Sequence, residues 1–265
     1  MSVLTAQLRG IRALWRYRSL LAGLTARNLK VKYKRSVLGF VWTLVNPALT
    51  VAILVGIFTH VVRVPIEAYW AFLLSGYFVW NFLAQTLMSA TYVLHEYGQL
   101  SRAVAYPKEA PILAAALSRL VEFSIELGLV IVILVVFHHG HVPASFLLLP
   151  LLVVLQLATA LGLALPVATL ATFYHDVQHA VPILLTTLFY VSPVFYAADM
   201  VPEAMRPLYM ANPVAGLLTL FQTVMYSGQA PPAALLLGVS LFAAASLLVG
   251  YAIFAHYQHL LAEVV

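Results

Sequence analysis

Charge along the chain falls into short clusters separated by long apolar runs. No residue is charged between Arg35 and Arg63, Glu67 and Glu96, Glu126 and Asp176, Asp176 and Asp199, or Arg206 and Glu263. A hydrocarbon core about 30 Å thick takes about 20 apolar residues to cross as a helix. The pattern therefore predicts an all-α integral membrane protein with six transmembrane helices, over about 37–62, 68–94, 111–137, 144–173, 180–196 and 232–256. Most of these runs exceed the minimum, so tilt or extension beyond the bilayer is expected. The uncharged stretch 207–228 is punctuated by Asn212-Pro213, Gly216, Gln222 and Gly228. It reads as a re-entrant helical pair before the last span rather than a seventh crossing. Irregular backbone at membrane depth survives only when buried in protein or facing a water-filled cavity.

The polar flanks orient the spans. Residues 1–36 hold nine Lys/Arg and no acid, and Lys/Arg-rich flanks stay cytoplasmic. This segment, the loops 95–110 and 174–179, and the C-terminus are expected inside. The loops around Pro65, Gly140 and Met205 are expected outside, with Arg63 and Arg206 as their cations. Within 1–36, Leu4, Leu8, Ile11 and Trp15 share one helical face with Arg9, Arg12 and Arg16 beside it. That is the pattern of an amphipathic helix lying in the interface, its arginines near anionic headgroups. Nothing in 1–36 looks like a cleavable signal.

Composition narrows the function classes. Hydrophobic residues make up 63% of the 265 and charged residues 9%, too few to give surface helices the polar face a soluble protein needs. A soluble enzyme, a disordered chain and a nucleic-acid binder are excluded. The absence of cysteine removes disulfide and cysteine-based metal or redox chemistry. There is no G-x-x-x-x-G-K-[ST] phosphate loop, Ser-His-Asp set, paired-carboxylate site or HExxH pattern, so no catalytic residue and no bound cofactor is assigned. His138, His139 and His141 have metal-like spacing but no nearby carboxylate, and read as a polar turn.

Span three carries Arg119, Glu122 and Glu126 on one helical face. Ionisable groups at such depth face protein or water. Arg119 and Glu122 can pair, whereas Glu126 needs another donor. The residues fit a structural pair at a helix interface, a polar contact to a translocated molecule, or a proton relay. Tyr69 and Trp70 fit an interfacial aromatic belt. Phe189, Tyr190, Phe195 and Tyr196 fit either such a belt or a pore wall on which sugar rings could slide.

The run Lys32-Tyr-Lys-Arg-Ser-Val-Leu-Gly-Phe-Val-Trp-Thr-Leu-Val-Asn-Pro47 closely resembles the first-span signature of ABC-2 type permeases, in particular the polysaccharide-exporting branch. Tyr106-Pro-Lys-Glu-Ala-Pro-Ile-Leu113, Phe173–Leu184, Tyr190–Tyr196 and Asn212–Leu218 are similar to later family stretches, in the family's order. His175-Asp176 stands where the family usually has Arg-Asp. The resemblance implies a homodimeric permease in the inner (plasma) membrane, with separate ATPase subunits that hold the ATP and Mg. The substrate it implies is a lipid-linked, O-antigen-like glycan. It also implies an ATPase-coupling element at His95, Glu96, Tyr97, Gln99, Leu100 and Arg102. The basic residues Arg27, Lys30, Lys32, Lys34 and Arg35 would meet the lipid headgroup at the cytoplasmic entrance. Tyr190, Phe195, Tyr196, Leu217 and Phe221 would form the channel and its outer gate. Competing readings are a drug or lipid permease of the same family, an ion-coupled carrier, and a membrane transferase using Asp176, His175 and His179.

Overall fold

A computed structural model describes residues 17–34, 39–97, 106–137, 139–204 and 212–264. All regular elements among them are helical. In chain order these are α1 (Arg18–Tyr33), α2 (Trp42–Gly56, continued by a π-helical stretch Ile57–Val62), α3 (Tyr69–Glu96) and α4 (Ala110–Phe137). There follow α5 (Leu149–Phe173, entered through a 3-10 stretch Ala144–Leu148), α6 (Asp176–Val191), α7 (Pro213–Met225) and α8 (Ala233–Val264). Five stretches are long and apolar enough to cross a membrane: Trp42–Val62, Tyr69–Glu96, Ala110–Phe137, Ala144–Phe173 and Ala233–Leu261. The interfacial helix expected over Leu4–Arg16 lies outside the described residues, as do Arg35, Gln99, Leu100, Arg102 and His138.

The run expected over 180–196 takes a different form. Its helix α6 starts earlier, at Asp176, whose carboxylate sits in the first turn where the helix dipole favours negative charge. It stops at Val191 because Pro193 disfavours helical geometry at Ser192, which is extended at φ −102°, ψ 153°. Sixteen residues rise only about 24 Å, less than the hydrocarbon thickness.

The α3 helix is the hub. It packs against α2, α4, α5, α6 and α7. Its buried side includes Phe78, Val79, Phe82, Leu83 and Leu87, and Phe82 meets Phe123 of α4 at 5.0 Å between ring centroids. Gln156 of α5, fully buried, donates from Nε2 to the Val79 carbonyl at 2.8 Å. The closest helix pair is α5 with α8. A Cβ added at Gly162 would collide with the Ser246–Leu247 backbone, and one at Gly250 with the Gly162 carbonyl. Small residues let membrane helices approach to backbone contact, where dispersion replaces the missing hydrophobic drive.

Of the stretch 207–228, expected as a helical pair, residues 207–211 lie outside the described residues, and the described part holds the helix α7. Asn212 caps it, accepting from the Val214 N–H at 3.0 Å, and Pro213 occupies the first turn, where its missing N–H costs nothing. The break at Asn212-Pro213 is therefore a helix start. Most of α7 is buried, including Leu217 (1% exposed) and Phe221 (0%), with Phe221 edge-on to Phe123, while Thr219 and Thr223 are partly exposed on one face. These two residues, expected at an outer gate, are buried within this chain.

The turns after α6 are satisfied from several sides. Gln222 Nε2 donates to the Pro193 carbonyl at 2.6 Å, Asn212 Nδ2 to Ser192 Oγ at 2.9 Å, and the Tyr69 hydroxyl to the Phe195 carbonyl at 2.6 Å. Gly76 leaves the space for Gln222, since a Cβ there would sit 2.7 Å from Nε2. Tyr69 is thus a buried brace rather than a belt residue.

A polar chamber between four helices

One turn from the end of α1, Lys32 reaches across to α4. Its Nζ lies 2.8 Å from both carboxylate oxygens of Glu122. Arg119, one turn earlier on α4, donates from Nη1 to Glu122 Oε2 at 3.0 Å. The Tyr33 hydroxyl donates to Glu122 Oε1 at 2.5 Å and also meets the Thr43 hydroxyl of α2. The remaining donors of Arg119, Nε and Nη2, reach Ser89 Oγ of α3 at 3.3 and 3.2 Å. Glu122 thus ties α1 to α4, while Tyr33 and Arg119 extend the network to α2 and α3. Burial, and then the Arg119 charge, hold the Lys32 ammonium below the usual lysine range, against the pull of Glu122.

This network separates two cavities. The inner one, about 410 Å³, opens beside Arg27, Asn28, Ser89, Tyr92, Glu96 and Tyr97. The deeper one, about 490 Å³, is lined by Trp42, Asn46, Tyr77, Asn81, Gln85 and Glu126 among others. Lys32, Arg119 and Glu122 line both. Glu126 sits one turn beyond Glu122, 3% exposed, and the donor expected for it is not among the described residues. Glu122 draws both nearby cations. The pairing of Arg119 with Glu122 matches the i, i+3 spacing, but Lys32 is 90 residues away and no sequence pattern links it to Glu122.

The other expected site residues disperse. Arg27, Lys30 and Lys34 are exposed on or just after α1. Helix α3 runs on through His95 and Glu96, both exposed, so these are helical rather than loop residues. Tyr97 turns inward to 2% exposure. It donates to Asn28 Oδ1 at 2.5 Å, and the Arg27 guanidinium stands 4.8 Å over its ring. It clasps α1 to the end of α3. The His95 and His175 rings stand 5.7 Å apart. At the far end, Phe189, Tyr190, Phe195 and Tyr196 form one aromatic cluster with Phe58, with centroids 5.0–5.9 Å apart between neighbouring rings. Tyr190 remains 61% exposed.

The fold and site define a multi-pass helical membrane protein with polar cavities between its helices and a charge network at their junction. Residues 19–226 match the ABC-2 type transporter family, so the chain belongs to that family. It is a permease subunit and not itself a catalyst. It is 31% identical over 85% of its length to the O-antigen export system permease protein RfbA of Myxococcus xanthus, covering 87% of that relative. A Klebsiella pneumoniae protein of the same name is 28% identical over 79% of this chain and 81% of its own. The polysialic acid transport protein KpsM of Escherichia coli is 21% identical over 86% and 89%. Two of these relatives are named for O-antigen export and the third for polysialic acid transport, and permeases of this family work with an ATPase subunit.

Proposed function

We propose that this chain is the membrane subunit of an ATP-driven exporter that carries a lipid-linked, O-antigen-like polysaccharide outward across the inner membrane. The observation that carries the reading is the chain-length similarity to relatives named for O-antigen export. A second copy of the chain completes the pathway, and a separate ATPase subunit, holding ATP and Mg, docks beneath. Its contact is the exposed end of α3 at His95 and Glu96 with the stretch through Gln99, Leu100 and Arg102. The exposed cations Arg27, Lys30 and Lys34, with Arg35, attract the headgroup of the lipid carrier and the anionic lipid surface. Tyr190, Phe195 and Tyr196 line the outward end.

The test is deletion of the gene in its native host. Lipid-linked glycan should accumulate inside and disappear from the surface, and a plasmid copy should reverse both. Unchanged surface glycan, with loss of resistance to an expelled compound, would favour a drug permease.

Both termini are cytoplasmic in this reading, which requires a sixth crossing. Helix α6 supplies about 24 Å. The stretch 192–196 that follows is turned, with the Val194 N–H on the Ser192 carbonyl, so α6 sets the length of this crossing and the bilayer must thin around it. Because the chain has no cysteine, single replacements report sidedness cleanly. Lys108→Cys should be shielded from an impermeant thiol reagent in intact cells, and Gly140→Cys should be labelled. Labelling of the Lys108→Cys variant from outside would invert the topology.

A further inference from the structure

The hub helix α3 carries a polar stripe that its packing leaves open. Tyr77, Asn81, Gln85, Ser89, Tyr92 and Glu96 recur at three- or four-residue intervals and are partly or fully exposed positions on a largely buried helix. Ser89 is engaged by Arg119. The side-chain amides of Asn81 and Gln85, with that of Asn46 facing them from α2, have no hydrogen-bond partner among the described residues, although all three line the deeper cavity. Glu126, more than nine-tenths buried and equally unpartnered, lines the same space. Buried polar groups are normally paired, and each one left unpaired costs free energy. Of these four groups only Glu126 is buried; Asn46 and Gln85 are exposed and Asn81 partly so, and the open cavity of about 490 Å³ therefore presents three accessible amides and one carboxylate to whatever enters it.

The chemistry of the walls specifies that occupant. Two cations, Lys32 and Arg119, face two carboxylates, Glu122 and Glu126, so the chamber has no excess of either sign. A phosphate or an acidic sugar would gain little there. Amides both donate and accept, and a carboxylate accepts from two neighbouring hydroxyls at once. Trp42, half exposed, and Tyr77 supply flat apolar faces for the C–H side of a ring. We propose that Asn46, Asn81, Gln85 and Glu126, with Trp42 and Tyr77, form a saccharide-binding station on the export path, built for uncharged, hydroxyl-rich sugar rings. This rests on the polysaccharide reading above and adds the place and type of contact. Successive rungs of α3 lie about 6 Å apart along the axis, so a chain can pass from one amide to the next without leaving the polar stripe.

The test uses the whole transporter in native cells, with a benzophenone amino acid in place of Asn81 or Gln85, expressed beside a wild-type copy so that export continues. After irradiation the permease should appear as a larger adduct that stains for carbohydrate. The same replacement at Leu241, exposed on α8, should give none. In a second arm, the combined Asn81→Leu and Gln85→Leu variant as the sole copy should slow the appearance of surface glycan at least about fivefold at normal membrane level, since each lost amide contact weakens sugar binding by about that factor. Asn81→Gln and Gln85→Asn should restore most of the rate. No carbohydrate adduct at 81 or 85 in exporting cells, or wild-type export by the double variant, overturns the station while leaving the exporter reading intact. Absence of glycan accumulation on gene deletion overturns both.

Discussion

Replacing Glu122 by leucine should be among the most damaging single changes in this chain. The carboxylate receives Lys32, Arg119 and Tyr33 together, and among the described residues it is the one carboxylate hydrogen-bonded to the two cations at the junction of the two cavities. Removing one member of a buried ion network leaves the others charged and unpaired, at a cost of about 3–5 kcal/mol. Lys32 and Arg119 retain 38% and 21% side-chain exposure, so the low end, about 3 kcal/mol, is expected. Thermal unfolding of the detergent-solubilised protein measures it. Adding Lys32→Met to Glu122→Leu should recover part of the loss, because it removes one orphaned cation. If the double variant is no more stable than the single one, Lys32 does not depend on Glu122. Glu126→Gln serves as the contrast. This neighbouring carboxylate has no cation bound to it among the described residues, so its neutralisation should leave stability within about 1 kcal/mol of the parent.

That contrast marks where sequence reasoning stops. The long uncharged runs are visible because a bilayer excludes charge over a fixed length, and five of them are long helices at nearly the expected positions. The Arg119–Glu122 pair is visible because helix periodicity is local. Lys32 is not: it reads as one more member of a basic cytoplasmic run, and only the packing of α1 against α4 singles it out. Tyr97 was hidden for the same reason. Its place in a polar stretch suggests a solvent-facing loop, yet its ring is buried against Arg27 and Asn28, 69 residues from its hydrogen-bond partner. The polar stripe of α3 was in principle legible, since Tyr77, Asn81, Gln85 and Ser89 repeat every four residues in an otherwise apolar run. The lack of charge in that run speaks to its length and not to its polar stripe. Leu217 and Phe221 mark the opposite limit: an apolar helix face shows that it is covered but not by what, and here α3, α5 and α8 pack on α7.

Gly250→Val should match or exceed the loss at Glu122, by a mechanism with no charge in it. Helices α5 and α8 meet at their backbones, with the carbonyl of Gly162 lying where a Cβ on residue 250 would be. A flexible side chain could swing aside from such a clash, but a backbone carbonyl already within its own helix cannot. The helices must separate instead, giving up the close packing along the most extensive helix contact in the chain. Overpacking a rigid site costs about 1–3 kcal/mol, and a backbone collision belongs at the upper end or beyond. Gly238→Val on the same helix is the control, because a Cβ there meets nothing within 4 Å. Valine is tolerated in a membrane helix, so this second change should leave both membrane level and thermal midpoint near the parent. Equal stability of the two variants would show that α5 and α8 are not in backbone contact. The export rate adds a further distinction. Separation of α5 from α8 also loosens α7, which packs on both, and through Gln222 the turn at Pro193. The Gly250→Val protein that does reach the membrane should therefore export more slowly than its abundance accounts for, whereas the Gly238→Val protein should export in proportion to its amount.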